Sequence, residues 1–394
     1  MSDKNKPFLP YVLMLPRWYP NKKDTSDGNF IENHIRCISS KLKVCTVFVK
    51  GIKGETSREI LRINESVNLK IYIRYFKVYS GLTGLIINPL SYLFYLFKTY
   101  SAVKRENGSP VLSHVHVMAR SSVLANYLLM RNKIPFVLSE HWSGYYPESG
   151  KLSFTKRILY KMLASKASAV SAVSASLAES LNIFLKKQAT VIPNLVQQEF
   201  FKVRKETDKT SIKTLIHVSN LIFTVKQTDK ILLYLNELAE KRKDFEIIIV
   251  GKGPDKEKLE LLAKGLHNLK NRLIFKGDLP ASQIAELFSK SKATVSFSRF
   301  ETQSIVLLES IATGTPVIAP KIGGIPEHCE GKGILFEVNS KQGFLKSIEE
   351  ILDEKIIFDP FVMRQYTIEN FSEEVIARKF TAMYKKVIPS LNVQ

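Results

Sequence analysis

Short apolar runs alternate with longer stretches of helical spacing along almost the whole chain, and this alternation limits the possible folds more than any other feature. Residues 11–15, 44–49, 111–115, 136–139 and 169–173 are short and largely apolar, as strands buried on both faces require. Residues 30–42, 121–131 and 154–166 lie between them with helical spacing. A polar stretch over 202–213 has no apolar periodicity and reads as a linker. The pattern then restarts. Strands are expected at 215–218, 245–250, 273–275, 294–297, 316–318 and 333–336, and helices at 229–241, 255–266, 281–289, 305–313 and 341–352. A last amphipathic helix is expected over 372–387, with Glu373 and Glu374 at the positive end of its dipole. Repeated βα units predict doubly wound parallel sheets. A length of 394 residues, at roughly 100–200 per domain, predicts two such α/β domains, 1–202 and 203–372. Ligands of such folds lie outside the carboxyl ends of the strands.

The charge narrows the partners. The chain carries 58 Lys and Arg against 37 Asp and Glu, a net charge of +21. Residues 1–200 hold 28 basic and 12 acidic residues, and the remainder 30 and 25, so the excess sits in the first half. Such a half suits an anionic membrane surface or a phosphorylated substrate. Nucleic acid is not expected, because no recognised module accompanies the charge. Cys37, Cys45 and Cys329 are too few and too scattered for a disulfide framework, and a reducing cytoplasm is expected. The polar start and short first apolar run argue against a secretory signal. No uncharged apolar stretch reaches the length of a spanning helix.

The segment with the most chemistry runs from Ser298 to Ala319. It contains Glu301, Ser304, Ile305, Glu309, Gly314 and Pro316, and passes from a strand end into a helix. Residues 304–306 fall at the helix N-terminus, where free N–H groups and the dipole suit a phosphate. Glu301 and Glu309 are placed to accept paired hydrogen bonds from sugar diols. The string resembles glycosyltransferase family 4, retaining enzymes with the two-domain GT-B fold, whose pattern is E-G-F-G-x-x-x-x-E-A-x-A-x-G-x-P-V. Thr302, Gln303 and Ser304 stand where that pattern has Gly-Phe-Gly. Gly323-Gly324-Ile325-Pro326-Glu327 is similar to the glycine turn that follows.

Further matches cover nearly the whole chain. Gly251 and Gly253, in Ile249–Pro254, resemble the family's V-G-x-G-P, whose small residues let backbone approach the nucleotide. Phe275–Pro280 resembles the loop that holds the base, through backbone at Leu279. Ile192-Pro193-Asn194 resembles the domain junction, and Leu112–His116 an I-H-x-H strand end. His141, in Val137–Trp142, resembles a histidine that faces the donor sugar. Gly28, after Arg17–Pro20, resembles the first glycine loop beside the diphosphate. Asn220 and Lys226 occupy the positions where the family has an arginine and a lysine clamping the diphosphate.

The resemblance implies a retaining, metal-independent hexosyltransferase that moves a sugar from a nucleotide sugar, a UDP-sugar, to a glycan or lipid-linked glycan acceptor. It implies Lys226, Glu301 and His141 as catalytic residues, Glu309 on the ribose, and a final helix, 373–394, that returns to the first domain. Asn220 departs from the pattern, and Arg299 is the nearest cation to replace the missing arginine. That departure motivates a second reading, a non-catalytic sugar-binding or scaffold protein at the membrane. No metal is expected: there is no D-x-D, and His34, His114, His116 and His141 lack ligand partners at zinc spacing. Residues 82–97 are uncharged and followed by Lys98, Lys104 and Arg105. They read first as a buried helix interrupted at Asn88-Pro89, and alternatively as an interfacial helix on the inner face of the cytoplasmic membrane.

Overall fold

The computed structural model describes residues 9–54, 59–150, 152–201 and 212–392. The chain forms two units: Met1–Val173 with Leu177–Ile192 and Ile376–Gln394, and Ser174–Ser176 with Pro193–Val375. The main division falls at Ile192–Pro193 and not at 202/203. Asn194 and Val196 donate their backbone N–H groups to Gln303 Oε1 and Phe371 O, which ties this segment into the second unit. Residues 202–211 of the expected linker lie outside the described residues, and Lys213 already opens a strand.

In the first unit the elements run β1 (Val12–Pro16), α1 (Asn29–Ser39), β2 (Val44–Lys53), β3 (Leu61–Asn64), β4 (Leu69–Val78), α2 (Gly81–Asn107), β5 (Leu112–His116), α3 (Ser122–Asn132), β6 (Phe136–Glu140), α4 (Phe154–Ser165), β7 (Ala169–Ala172), α5 (Ala175–Leu185) and β8 (Ala189–Val191). The sheet order is β3-β4-β2-β1-β5-β6-β7-β8, parallel except for β3 against β4. All five residues of β1, β5 and β6 are buried, because helices cover both faces of a doubly wound sheet.

The second unit continues with β9 (Lys213–Val218), α6 (Phe223–Lys226), α7 (Thr228–Lys241), β10 (Phe245–Val250), α8 (Lys256–Lys264), β11 (Leu273–Gly277), α9 (Ala281–Lys290), β12 (Ala293–Val295), α10 (Ile305–Ala312), β13 (Val317–Pro320), α11 (Ile325–Cys329), β14 (Gly333–Phe336), α12 (Lys341–Leu352), α13 (Pro360–Phe371) and α14 (Glu373–Val387). Its all-parallel sheet has the order β11-β10-β9-β12-β13-β14. Chain direction across each sheet reverses once, between β1 and β5 and between β9 and β12. Each reversal opens a crevice at the strands' carboxyl ends.

Two sequence expectations need correction. β4 was not expected because Lys70, Arg74 and Lys77 interrupt its apolar residues. Arg74 is nevertheless buried, with its guanidinium 5.1 Å from the Tyr95 ring centre. The 82–97 segment is uninterrupted and only half buried: Gly84 and Leu96 are buried and Tyr92, Leu93, Tyr95 and Phe97 pack against the core, while its other face is exposed. α2 runs through Pro89, and Leu82, Leu85, Ile86, Leu90 and Phe94 are exposed. Proline at an exposed turn leaves its orphaned carbonyl to water, which lets the helix continue. Among the described residues, no helix is long and apolar enough to cross a membrane.

Candidate functional site

The second unit's crevice is assembled by two loops. Leu221 N–H donates to Lys252 O and Asp255 N–H to Leu221 O, which stitches the loop after β9 to the loop after β10. The Asp255 carboxylate accepts from Phe223 N–H at 3.0 Å and so holds the start of α6. α6 ends in Lys226. Arg299 N–H donates to Val225 O at 2.8 Å and brings the loop after β12 alongside. Lys226 Nζ consequently lies 2.5 Å from Glu301 Oε1, and the pair is mostly shielded from water.

The pair borders a small open recess lined by polar groups of His217, Ser219, Lys226, Thr294, Ser296, Ser298, Glu301 and Ser304. Burial pushes His217 down to about 4, so its ring is neutral at pH 7. Its Nδ1 lies 2.8 Å from Val295 O, and a carbonyl only accepts, so Nδ1 carries the proton. Nε2 then accepts from Ser219 Oγ at 2.8 Å. Ser304 caps α10 at φ 62°, where the family pattern has glycine. Gln303 is buried, and its Oε1 accepts from both nitrogens of Asn194 at 2.8 Å. It is an anchor for this loop that the sequence did not reveal, because its partner is 109 residues distant. Glu309 lies on α10, partly exposed, and its carboxyl is pushed up to about 8 by burial. The arrangement offers one fixed positive charge, one carboxylate, several hydroxyls and a helix N-terminus, a set that suits a diphosphate bearing a sugar.

Sequence patterns decide what such a recess belongs to. The family described as Glycosyl transferases group 1 matches residues 198–372, and Glycosyltransferase Family 4 matches residues 45–200. The chain is a glycosyltransferase of the family 4 type. It is 26% identical over 307 residues to the N-acetyl-alpha-D-glucosaminyl L-malate synthase of Bacillus anthracis, covering 74% of this chain and 78% of that enzyme. It is 21% identical over 202 residues to an Arabidopsis thaliana phosphatidylinositol N-acetylglucosaminyltransferase subunit, covering 51% of this chain but only 45% of that protein. Sucrose-phosphate synthase from Thermosynechococcus elongatus shares the fold with a TM-score of 0.75 at 17% identity, over 97% of this chain and 100% of that one. HepE of Anabaena, solved with UDP-glucose, gives 0.70 at 17% identity, over 95% and 99%. The fold of this glycosyltransferase is GT-B.

Other expected site residues of the glycosyltransferase lie elsewhere. Asn220 is exposed and does not line the recess. Arg299 does not replace the missing arginine: it is exposed, and its guanidinium sits 5.3 Å from the Phe300 ring centre. Leu279 packs against a core cluster with Phe200 and Phe288. Ile305 opens α10 beside Ser304 but is not part of the recess lining. The glycines at 251 and 253 serve the chain's own packing. A Cβ on Gly251 would lie 1.9 Å from Ser219 O, and one on Gly253 2.5 Å from Leu221 O. Gly28, at φ 70°, likewise faces Trp18, whose carbonyl carbon would be 2.5 Å from a Cβ.

His141 and Gly28 belong to the first unit. There four histidines that the sequence scatters come together. His34, His116 and His141 are all buried, and one ring nitrogen from each lies within 4.8 Å of the others. His114 stacks on His116 with ring centres 3.9 Å apart. The strand order brings these residues to the β1/β5 reversal although they are scattered in sequence. Burial and neighbouring imidazoles hold His114 and His116 well below the usual histidine range, so both are neutral. This is a group that could hold a metal. A tetrahedral zinc, with nitrogens at about 2.0–2.1 Å, spaces them about 3.4 Å apart, so the rings would have to close up. Phe30 and Phe380 pack against the cluster, with ring centres 5.0 Å from His141 and 4.9 Å from His34.

Proposed function

We propose that this glycosyltransferase moves a sugar from a UDP-sugar to a hydroxyl of a growing, lipid-linked glycan, with retention at the anomeric carbon and without a metal, while attached to the inner face of the cytoplasmic membrane. The observation that supports it most is the Lys226–Glu301 pair at the edge of the serine-lined recess. HepE, which shares the fold, holds UDP-glucose. In this reading Lys226 binds the diphosphate and stabilises it as it leaves, Glu301 accepts from hydroxyls of the donor sugar, and Glu309 binds the ribose. His141 is assigned to the donor sugar on the resemblance alone. The acceptor oxygen forms a bond to the anomeric carbon as that carbon's bond to the diphosphate oxygen breaks. The acceptor proton passes to a diphosphate oxygen on the same face. Proton NMR of the product from an α-linked UDP-sugar, in the presence of a chelator, tests this. An α-linked product formed at an undiminished rate is expected; a β-linked product, or loss of turnover with the chelator, contradicts it.

A second reading, a sugar-binding relative without turnover, is favoured by one observation. With Asn220 exposed and Arg299 on Phe300, Lys226 is, among the described residues, the one of fixed positive charge lining the recess. UDP binding without turnover on any sugar donor or glycan acceptor would favour it.

A further inference from the structure

One side of the first unit carries an exposed surface to which the proposed sugar transfer assigns no residue. α2, α3 and α4 each lead to a parallel strand farther along the sheet in the same direction, so right-handed crossovers place all three on one face. Phe97 of α2 meets Tyr127 of α3 with ring centres 5.1 Å apart. Asn126 of α3 donates to Leu163 O of α4 at 3.1 Å. The face is therefore continuous.

Its outer side is apolar. Leu82, Ile86, Leu90 and Phe94 recur every four residues along α2, and Leu82 is 82% exposed. Phe154, Ile158 and Met162 repeat the pattern on α4, with Phe154 77% exposed and Ala164 the only buried residue of that helix. The exposed start of α2 is built in. Asn88 accepts from Tyr79 N–H and donates to Tyr79 O, both at 2.9 Å. A Cβ on Gly84 would lie 2.1 Å from Tyr79 O, which locks the same turn against the end of β4. Isolated exposed apolar residues are ordinary, but a contiguous set on adjoining helices marks an interaction surface.

The charges decide the partner. α3 and α4 contain no acidic residue, and α2 has none before Glu106. Lys98, Arg131, Lys156, Lys161 and Lys166 are all exposed around the apolar stripes. Apolar side chains on three helices whose charged residues are all basic except Glu106 match an anionic bilayer, with the stripes at the acyl boundary and the lysines at the head groups. We propose that the α2–α4 face is the surface by which this chain docks on anionic phospholipid. The proposal deepens the membrane-attached reading above and rests on it for the presence of a bilayer.

Flotation of the full chain tests it, with phosphatidylcholine vesicles containing or lacking phosphatidylglycerol. Binding that needs the anionic lipid and weakens with salt is expected. Replacing Lys98, Lys156 and Lys161 together by Gln removes about fivefold per charge, hence about a hundredfold. Phe154→Glu with Ile158→Glu abolishes flotation. Each variant is checked for an unchanged circular dichroism spectrum and UDP affinity. No binding to anionic vesicles at low salt, or variants that float like the parent, overturns the proposal. So does a dimer in solution that Phe154→Glu dissociates while vesicle binding is absent. A chain that binds UDP but no vesicles loses this surface and keeps sugar transfer; one that floats but binds no UDP does the reverse.

Discussion

Glu309 and Ser304 have properties that their positions in the chain create. The Glu309 carboxyl holds its proton up to about pH 8, against 4.5 for an unperturbed group, because burial disfavours its charge. A raised carboxyl stabilises the fold only while it is protonated. That stability is complete below about pH 4.5 and is lost as pH rises, until the folded group also ionises near 8. Glu309→Gln has no such loss. It should therefore gain on the parent at up to about 1.4 kcal/mol per pH unit between roughly pH 5 and 8, read by urea unfolding across that range. A pH-independent difference would show that Glu309 is solvated. Ser304 sits in left-handed backbone at φ 62°, which costs an L-residue about 1–2 kcal/mol. Glycine avoids this but loses about 0.5–1 kcal/mol of backbone entropy. Ser304→Gly should be about 0.5–1 kcal/mol more stable by the same assay. Glu301, Ser304 and Lys226 were legible in the sequence because each lies in a short local string. Gln303 was not, since its role depends on a partner a hundred residues away, and the failure of Arg299 was not, because sequence proximity does not fix where a side chain turns.

Strands buried on both faces were readable as apolar runs, and helices between them by spacing. β4 escaped because a buried arginine looks like a surface residue until Tyr95 is seen beneath it. α2 misled in the opposite sense. A stretch apolar on every side reads as buried, and nothing local says that its outer face has no cover. α14 was expected to return to the first unit, and from Ile376 it belongs there. Tyr384 shows how it is held: its hydroxyl lies 2.6 Å from His114 Nδ1, while His114 Nε2 lies 2.7 Å from Ser139 Oγ, which in turn meets Ser171 Oγ at 2.6 Å. All four groups are buried. Tyr384→Phe leaves an imidazole nitrogen buried without its partner and should cost about 1–3 kcal/mol in denaturant unfolding. A change within about 0.5 kcal/mol would mean that apolar packing of Phe380 and its neighbours carries the attachment.

The two-unit α/β plan was visible in the alternation of elements, whereas the histidine cluster was not. His34, His116 and His141 are unremarkable in spacing, and only the strand order of a parallel sheet brings them together. The same topology places Lys226 and Glu301 at the β9/β12 reversal, where a doubly wound sheet receives its ligand. That placement is the centre of the functional account, and calorimetric titration of UDP into the full chain tests it most directly. A charge-assisted contact of about 1.5–3 kcal/mol predicts saturable one-to-one binding that Lys226→Ala weakens by about tenfold to a hundredfold, with the fold intact. Absence of binding to a folded parent, or equal affinity in Lys226→Ala, would contradict the assignment of this recess to the nucleotide sugar.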